Sequence, residues 1–149
     1  MADKATELEK ILASASLLVG KSETCVLSSL AVDGYPAMRA MLAPRERTGM
    51  KQLIFTTNTS SMHVDEFHVD PRGCVYFYDP KLFQGLLLRG TVEIDDSKEM
   101  RERVWRDGDE VYYPLGVTDP DYTTMTFTAT QGRWYENFIK VDFYLEETT

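Results

Sequence analysis

Cysteine and histidine are scarce in this chain, two of each among 149 residues. Cys25 and Cys74, each set in an apolar stretch, cannot make a disulfide framework and read as buried, reduced thiols. His63 and His68 have no third ligand at a useful spacing, which excludes an ordinary metal site. No run approaches the roughly 18 apolar residues that a spanning helix needs. The opening MADKATELEK mixes acids with bases, unlike a secretory or transit peptide, so the cytoplasm is the expected compartment. Basic residues are in deficit, 16 Lys and Arg against 24 Asp and Glu, for a net charge of −8. That removes the basic face on which nucleic acid or an acidic membrane would bind. Glycine-rich nucleotide loops are missing, and no serine or cysteine sits in a nucleophile elbow.

What is present is the composition of one ordinary globular domain, 43% hydrophobic and 27% charged. The acidity is uneven. Residues 33–90 hold nearly balanced charges, whereas 91–149 hold a large acidic excess, so the central third is the seat expected for an anionic ligand. Apolar residues every three or four positions over 6–19 predict an amphipathic helix stopped by Gly20. Apolar runs at 25–32 and 35–42 flank Asp33-Gly34 and predict a tight hairpin. Further strands are expected at 53–55, 74–78, 83–94 with a bulge or bend at Gly90, 122–128 and 141–145. Short helices are expected at 60–69 and from a cap at Ser97 to about Trp105. About seven strands and three helices, with hairpins and no linker, predict a mainly β, antiparallel barrel or sandwich with short α decoration.

One stretch concentrates chemistry. Thr56-Thr57-Asn58-Thr59-Ser60-Ser61 sets hydroxyls and an amide between a strand end and a helix start, where free N–H groups favour a phosphate. A plain capped turn explains the same residues. His63 falls in the first turn of that helix.

The order of pieces then carries a resemblance. Gly34-Tyr-Pro36-Ala-Met-Arg39, Phe55 through Ser61, Asp70-Pro71 before an aromatic strand, and a strand ending in Gly90 together resemble the pyridoxamine 5′-phosphate oxidase-like family of FMN-binding split barrels. Trp105, Tyr113-Pro-Leu-Gly116 and Asp119-Pro-Asp-Tyr122 resemble its general stress protein branch. The resemblance implies a split β-barrel that binds FMN as a homodimer and exchanges electrons with a small molecule. It implies that Arg39, Ala40, Met41 and Leu42 lie along the flavin, and that Thr56, Thr57 and Ser61 serve its phosphate. The family's cationic phosphate ligands fall on Met62 and His63, which leaves Arg39, helped by Arg45, Arg47 or Lys51, to supply charge. A histidine there is expected to lose its contribution as pH rises past about 6.5. The family's ring-contacting glutamine falls on Gly85, with Gln84 adjacent, and its late tryptophan on Trp134. Its arginine-x-histidine for the vitamin phosphate is missing, which argues against true pyridoxamine phosphate oxidase activity. A flavin-dependent oxidoreductase is the leading expectation, with no catalytic acid or base identifiable. A flavin carrier without turnover, or a dimer whose site has decayed, remain alternatives.

Overall fold

The computed structural model describes residues 2–145. The first helix, α1, runs Ala2–Lys21 and passes through Gly20 by one residue, turning Ala15, Leu18 and Val19 into the core. It leads into β1 (Thr24–Leu30) and β2 (Pro36–Leu42), paired antiparallel from Thr24↔Leu42 to Leu30↔Pro36. The connection is looser than the expected two-residue turn. Gly34 N–H donates to the Ala31 carbonyl at 2.9 Å, and only Gly34 takes a positive φ, +89°, while the Asp33 carboxylate accepts from Tyr35 N–H. This is a three-residue loop closed by a left-handed glycine.

The chain continues through β3 (Glu46–Thr48), β4 (Gln52–Asn58), α2 (Met62–Val69), β5 (Arg72–Asp79), β6 (Gln84–Asp95), α3 (Lys98–Val104), β7 (Tyr122–Glu136) and β8 (Ile139–Tyr144). Helix α2 stops at Asp70, whose extended backbone (φ −139°, ψ 111°) is what a residue preceding proline prefers. Ser97 caps α3 as expected, accepting from Met100 N–H at 3.2 Å.

All eight strands join one antiparallel sheet in the order β2-β1-β5-β6-β7-β4-β3, with β8 added to β7. Strands β4, β5 and β7 extend beyond the expected 53–55, 74–78 and 122–128, β7 the furthest, to Glu136, and β3, too short to show a period, was not foreseen. The long β7 pairs with β6 on one edge and, on the other, with β4 near its start and β8 near its end. Its pairing with β6 shifts register at Arg89/Gly90. A Cβ on Gly90 would sit 1.9 Å from the Thr128 carbonyl oxygen, so only glycine lets the strands close there.

Alternation along the strands divides the sheet. Inward go Leu27, Leu53, Phe55, Val75, Phe77, Leu86, Leu88, Phe127 and Trp134, all at most 1% exposed. Outward, Ala40, Val26, Tyr76, Leu87 and Arg133 form one row across β2-β1-β5-β6-β7. Trp134 belongs to the core, while Tyr76 and Tyr78 are exposed. Cys25 is buried and Cys74 half-buried, and neither is bonded to the other. Among the described residues no helix is long and apolar enough to cross a membrane, and no cluster of metal-ligating side chains occurs.

Candidate functional site

On β2 the alternation turns Arg39 and Met41 inward, opposite Leu27 and Cys25, and leaves Ala40 and Leu42 outward. Beyond Leu42 the chain is steered across the barrel end: Ala43 N–H donates to the Glu23 carbonyl and Arg45 N–H to that of Ile54. Strand β4 delivers Thr56, Thr57 and Asn58 beside this stretch, and α2 begins directly after Ser61. With His63, Tyr112 and Tyr113 these residues enclose a cavity of about 260 Å³. Arg39, Ala40, Met41, Leu42, Thr56, Thr57, Ser61 and His63 therefore meet in one place. Gln84 and Trp134 do not. Both bond to the Glu136 carboxylate, Gln84 through its amide at 3.0 Å and Trp134 through its indole N–H at 3.3 Å. Tyr76 lies over Gly85, where an added Cβ would meet its hydroxyl at 2.4 Å, so a glutamine there would require the Tyr76 ring to shift. A larger concavity of about 470 Å³ sits at the hairpin end of the outer face, and none of the expected residues lines it.

One end of the cavity is polar. Thr57 Oγ1 and His63 Nε2 are hydrogen-bonded at 2.8 Å, and both residues are buried. Ser61 has the extended backbone of an N-cap, yet its hydroxyl makes no capping bond and stays available beside the free N–H groups of α2. The preceding loop is pinned by Asp121, which accepts from Asn58 Nδ2 at 2.7 Å and Ser60 N–H at 2.8 Å. Behind His63, Arg39 donates to the Leu27 carbonyl at 3.2 Å and to Glu66 Oε1 at 3.3 Å, an oxygen that also accepts from Ser29 at 2.7 Å. Burial, reinforced by the Arg39 charge and opposed by Glu66, pushes the His63 imidazole down to about 4. His63 is therefore neutral at physiological pH, and the titration expected near 6.5 does not occur. It offers hydrogen bonds, not charge.

The other end is aromatic and locked. Arg45 grips Asp109 with two bonds, 2.8 and 3.0 Å, both side chains under a tenth exposed. Asp109 also accepts from Arg106 N–H, while Arg106 Nη2 donates to the Arg45 carbonyl. Tyr113 packs 4.8 Å from Tyr122 and hydrogen-bonds the Thr56 side chain; burial pushes its phenol up to about 12. Arg45 is thus committed. Arg47 is bonded to Ser16 and the Gly49 carbonyl, and Lys51 to the Leu145 carbonyl, both away from the cavity. Of the four cations expected to help a phosphate, only Arg39 remains placed for it.

The pyridoxamine 5′-phosphate oxidase family model matches residues 12–135. The chain belongs to this family. A protein from Clostridium acetobutylicum related to general stress protein 26 of B. subtilis is 37% identical, with a TM-score of 0.85 over 92% of this chain and 96% of that one. A pyridoxamine 5′-phosphate oxidase-related, FMN binding protein from Nostoc punctiforme shares the fold at 15% identity, TM-score 0.66, over 84% of this chain and 87% of that one. A heme binding protein from Mycobacterium smegmatis shares it at 14% identity, TM-score 0.72, over 90% of this chain and 57% of the other. No match is found among curated proteins. The split barrel of this oxidase family therefore stands, and its ligand has to be argued from the cavity. Sequence reasoning missed Glu66, Asp109, Tyr112 and the role of Tyr113. The Tyr113-Pro-Leu-Gly116 motif was the one available signal, and it marked kinship without a place in the site.

Proposed function

We propose that the chain binds FMN in the cavity between β2, β4 and α2 and works as a flavin-dependent oxidoreductase. The observation that carries this reading is the division of the cavity: uncapped Ser61, Thr57, neutral His63 and Arg39 at one end, and the Ala40–Leu42 stretch leading away from them. The donor set fits a phosphate, offering hydroxyls, an imidazole, free amides at a helix start and one guanidinium. The exposed backbone of β2 suits the polar edge of a flat ring, and Met41 and Leu42 suit its faces. Bound FMN would supply reversible electron transfer, with the protein fixing its position and excluding water. Heme is disfavoured because the one imidazole lining the cavity has its Nε2 engaged by Thr57.

The same site supports a second reading, a flavin carrier without turnover. Arg39 and Arg45 are both ion-paired, and His63 is neutral and hydrogen-bonded, so none of these three side chains is an uncommitted acid or base. Steady-state oxidation of NADH or NADPH by flavin-loaded protein separates the two.

Association into a homodimer accompanies this proposal. Tyr76, Tyr78, Phe83 and Tyr135 form a connected chain of rings, centroids 5.8–6.3 Å apart, on the outer face beside Leu87. A monomer exposing such a patch is unusual, and a second copy covers it. Gln84 lies beside this patch, and in this proposal it serves a partner's site and not its own. The cytoplasm remains the proposed compartment.

Titration with FMN and riboflavin tests the binding reading. Tighter FMN binding by about tenfold or more is expected from one additional charge-assisted contact. Equal affinities would remove the phosphate cradle, and sedimentation of a monomer with flavin bound would remove the dimer.

A further inference from the structure

The residue that closes the aromatic end of the cavity has no role in the reading above, and its setting is specific. Tyr112 lines the cavity yet is 55% exposed, whereas its neighbour Tyr113 is buried. Its backbone is not free to wander. The Asp109 carbonyl accepts from both Tyr112 N–H and Tyr113 N–H at 2.9 Å, while the Asp109 side chain is forked onto Arg45 in the cavity wall. Left-handed Gly108, φ +99°, makes the turn that allows one residue to face both ways. Asp109 is thus a hub: its carboxylate holds the wall, and its carbonyl holds the two tyrosines against that wall. An aromatic ring kept over a cavity mouth at this cost in buried charge is a pre-positioned contact surface.

The geometry points to Tyr112 as the side chain that covers the planar end of the bound ligand, with Asp109 as its positioning residue. This rests on the flavin reading, which places phosphate at the Ser61–His63 end and the ring toward Leu42 and Tyr112. The substrate's approach is then confined to the remaining open face of the ring, so Tyr112 also limits which electron donors reach it.

The test uses the full chain and five proteins: wild type, Tyr112→Ala, Tyr112→Phe, Asp109→Asn and the double variant of Asp109→Asn with Tyr112→Ala. Affinity for FMN and for riboflavin is measured, together with quenching of the bound flavin's fluorescence by acrylamide. Tyr112→Ala is expected to weaken both flavins alike, by about tenfold, because it removes aromatic surface from the ring and not a phosphate contact. It should also expose the bound ring to acrylamide, and Tyr112→Phe should restore both properties. Asp109→Asn should move them the same way, with no further loss when combined with Tyr112→Ala. Wild-type affinity and unchanged quenching in Tyr112→Ala overturn the proposal while leaving the flavin site intact. So does a loss confined to FMN, which would put Tyr112 on the phosphate. If the wild type takes up neither flavin, both readings fall. Tyr112 is a surface side chain, so its two variants decide the question even if Asp109→Asn does not fold.

Discussion

Two arginines line the same cavity and are held in opposite ways. Arg45 is a tenth exposed or less, forked onto Asp109 by two short bonds, with the partner carboxylate further satisfied by Arg106 N–H. Arg39 is 21% exposed and makes two longer single contacts, 3.2 and 3.3 Å, to the Leu27 carbonyl and Glu66. The difference teaches that a cation on a cavity wall is not automatically a ligand for anions. Arg45 has both of its Nη atoms turned onto one buried carboxylate, a fork that fixes it in the fold. Arg39 keeps donors in reserve, and its partner Glu66 has Ser29 as a second hydrogen bond to fall back on. One arginine builds the site, and the other is left to work in it.

The largest way to break this comparison is Arg45→Met. It strands Asp109 in a buried position, and removing one member of a buried pair costs about 3 kcal/mol or more. Chemical denaturation should show that loss with no ligand present. The tyrosine end of the cavity should loosen with it. A stability close to wild type would mean Asp109 finds water or Arg106 instead, and the distinction between the two arginines would collapse.

Acid sharpens the polar end. His63 has a folded value near 4 against an ordinary 6.5, so the unfolded chain binds its proton first and stability falls as pH drops through that interval. The full effect is up to about 3 kcal/mol, fully suffered only below pH 4. Asp109 also sits below its ordinary value, as do Asp70, Asp79, Asp121 and Asp142, and such carboxylates lose their contribution in acid, so the wild-type profile alone mixes them with the imidazole. Subtracting the profile of His63→Gln isolates the imidazole. Parallel profiles for the two proteins would show that His63 is solvated and charged. Between pH 6.5 and 8.5 the histidine should contribute no trend to FMN affinity.

Arg39→Gln is expected to act on binding. Losing the one available cation should cut the preference for FMN over riboflavin by about tenfold, with riboflavin affinity nearly unchanged. An equal loss for both flavins would place Arg39 against the ring and not the phosphate.

The contrast between these arginines also marks what the sequence made legible. Local signals did well: the period of α1, the Ser97 cap, the Gly90 bulge and the hydroxyl run before α2 each depend on residues a few positions apart. The eight cavity residues inferred from the family's order of motifs came together because that order tracks the strands that deliver them. What stayed hidden depends on distance. Asp109 lies 64 positions from Arg45, and Glu66 27 from Arg39. Nothing near Arg45 announces that its charge is taken, so it was counted with Arg47 and Lys51 as spare. Trp134 lies away from the cavity because β7 runs past its last clear alternation at Thr128 into a stretch whose register only the β6 and β8 pairings define.

A third arginine supplies the smallest effect and a control for the other two. Arg133 pairs with Asp142 across β7 and β8 at 2.6 Å, as short as any contact at the cavity, but both side chains are about half exposed on the outer face. Solvent screening leaves such pairs with little or no net worth, whatever their geometry. Arg133→Ala should therefore leave the thermal midpoint of a monomeric chain unchanged, in contrast to Arg45→Met. The same side chain stands in the outward row with Leu87 and Tyr76, on the face assigned to a second copy. Should that copy cover it, the pair is desolvated, and its removal should lower the midpoint by an amount that grows with protein concentration, as linkage to association requires. A small, concentration-independent shift would place Arg133 at the rim of the interface or beyond it, and confine the covered area to the tyrosine chain.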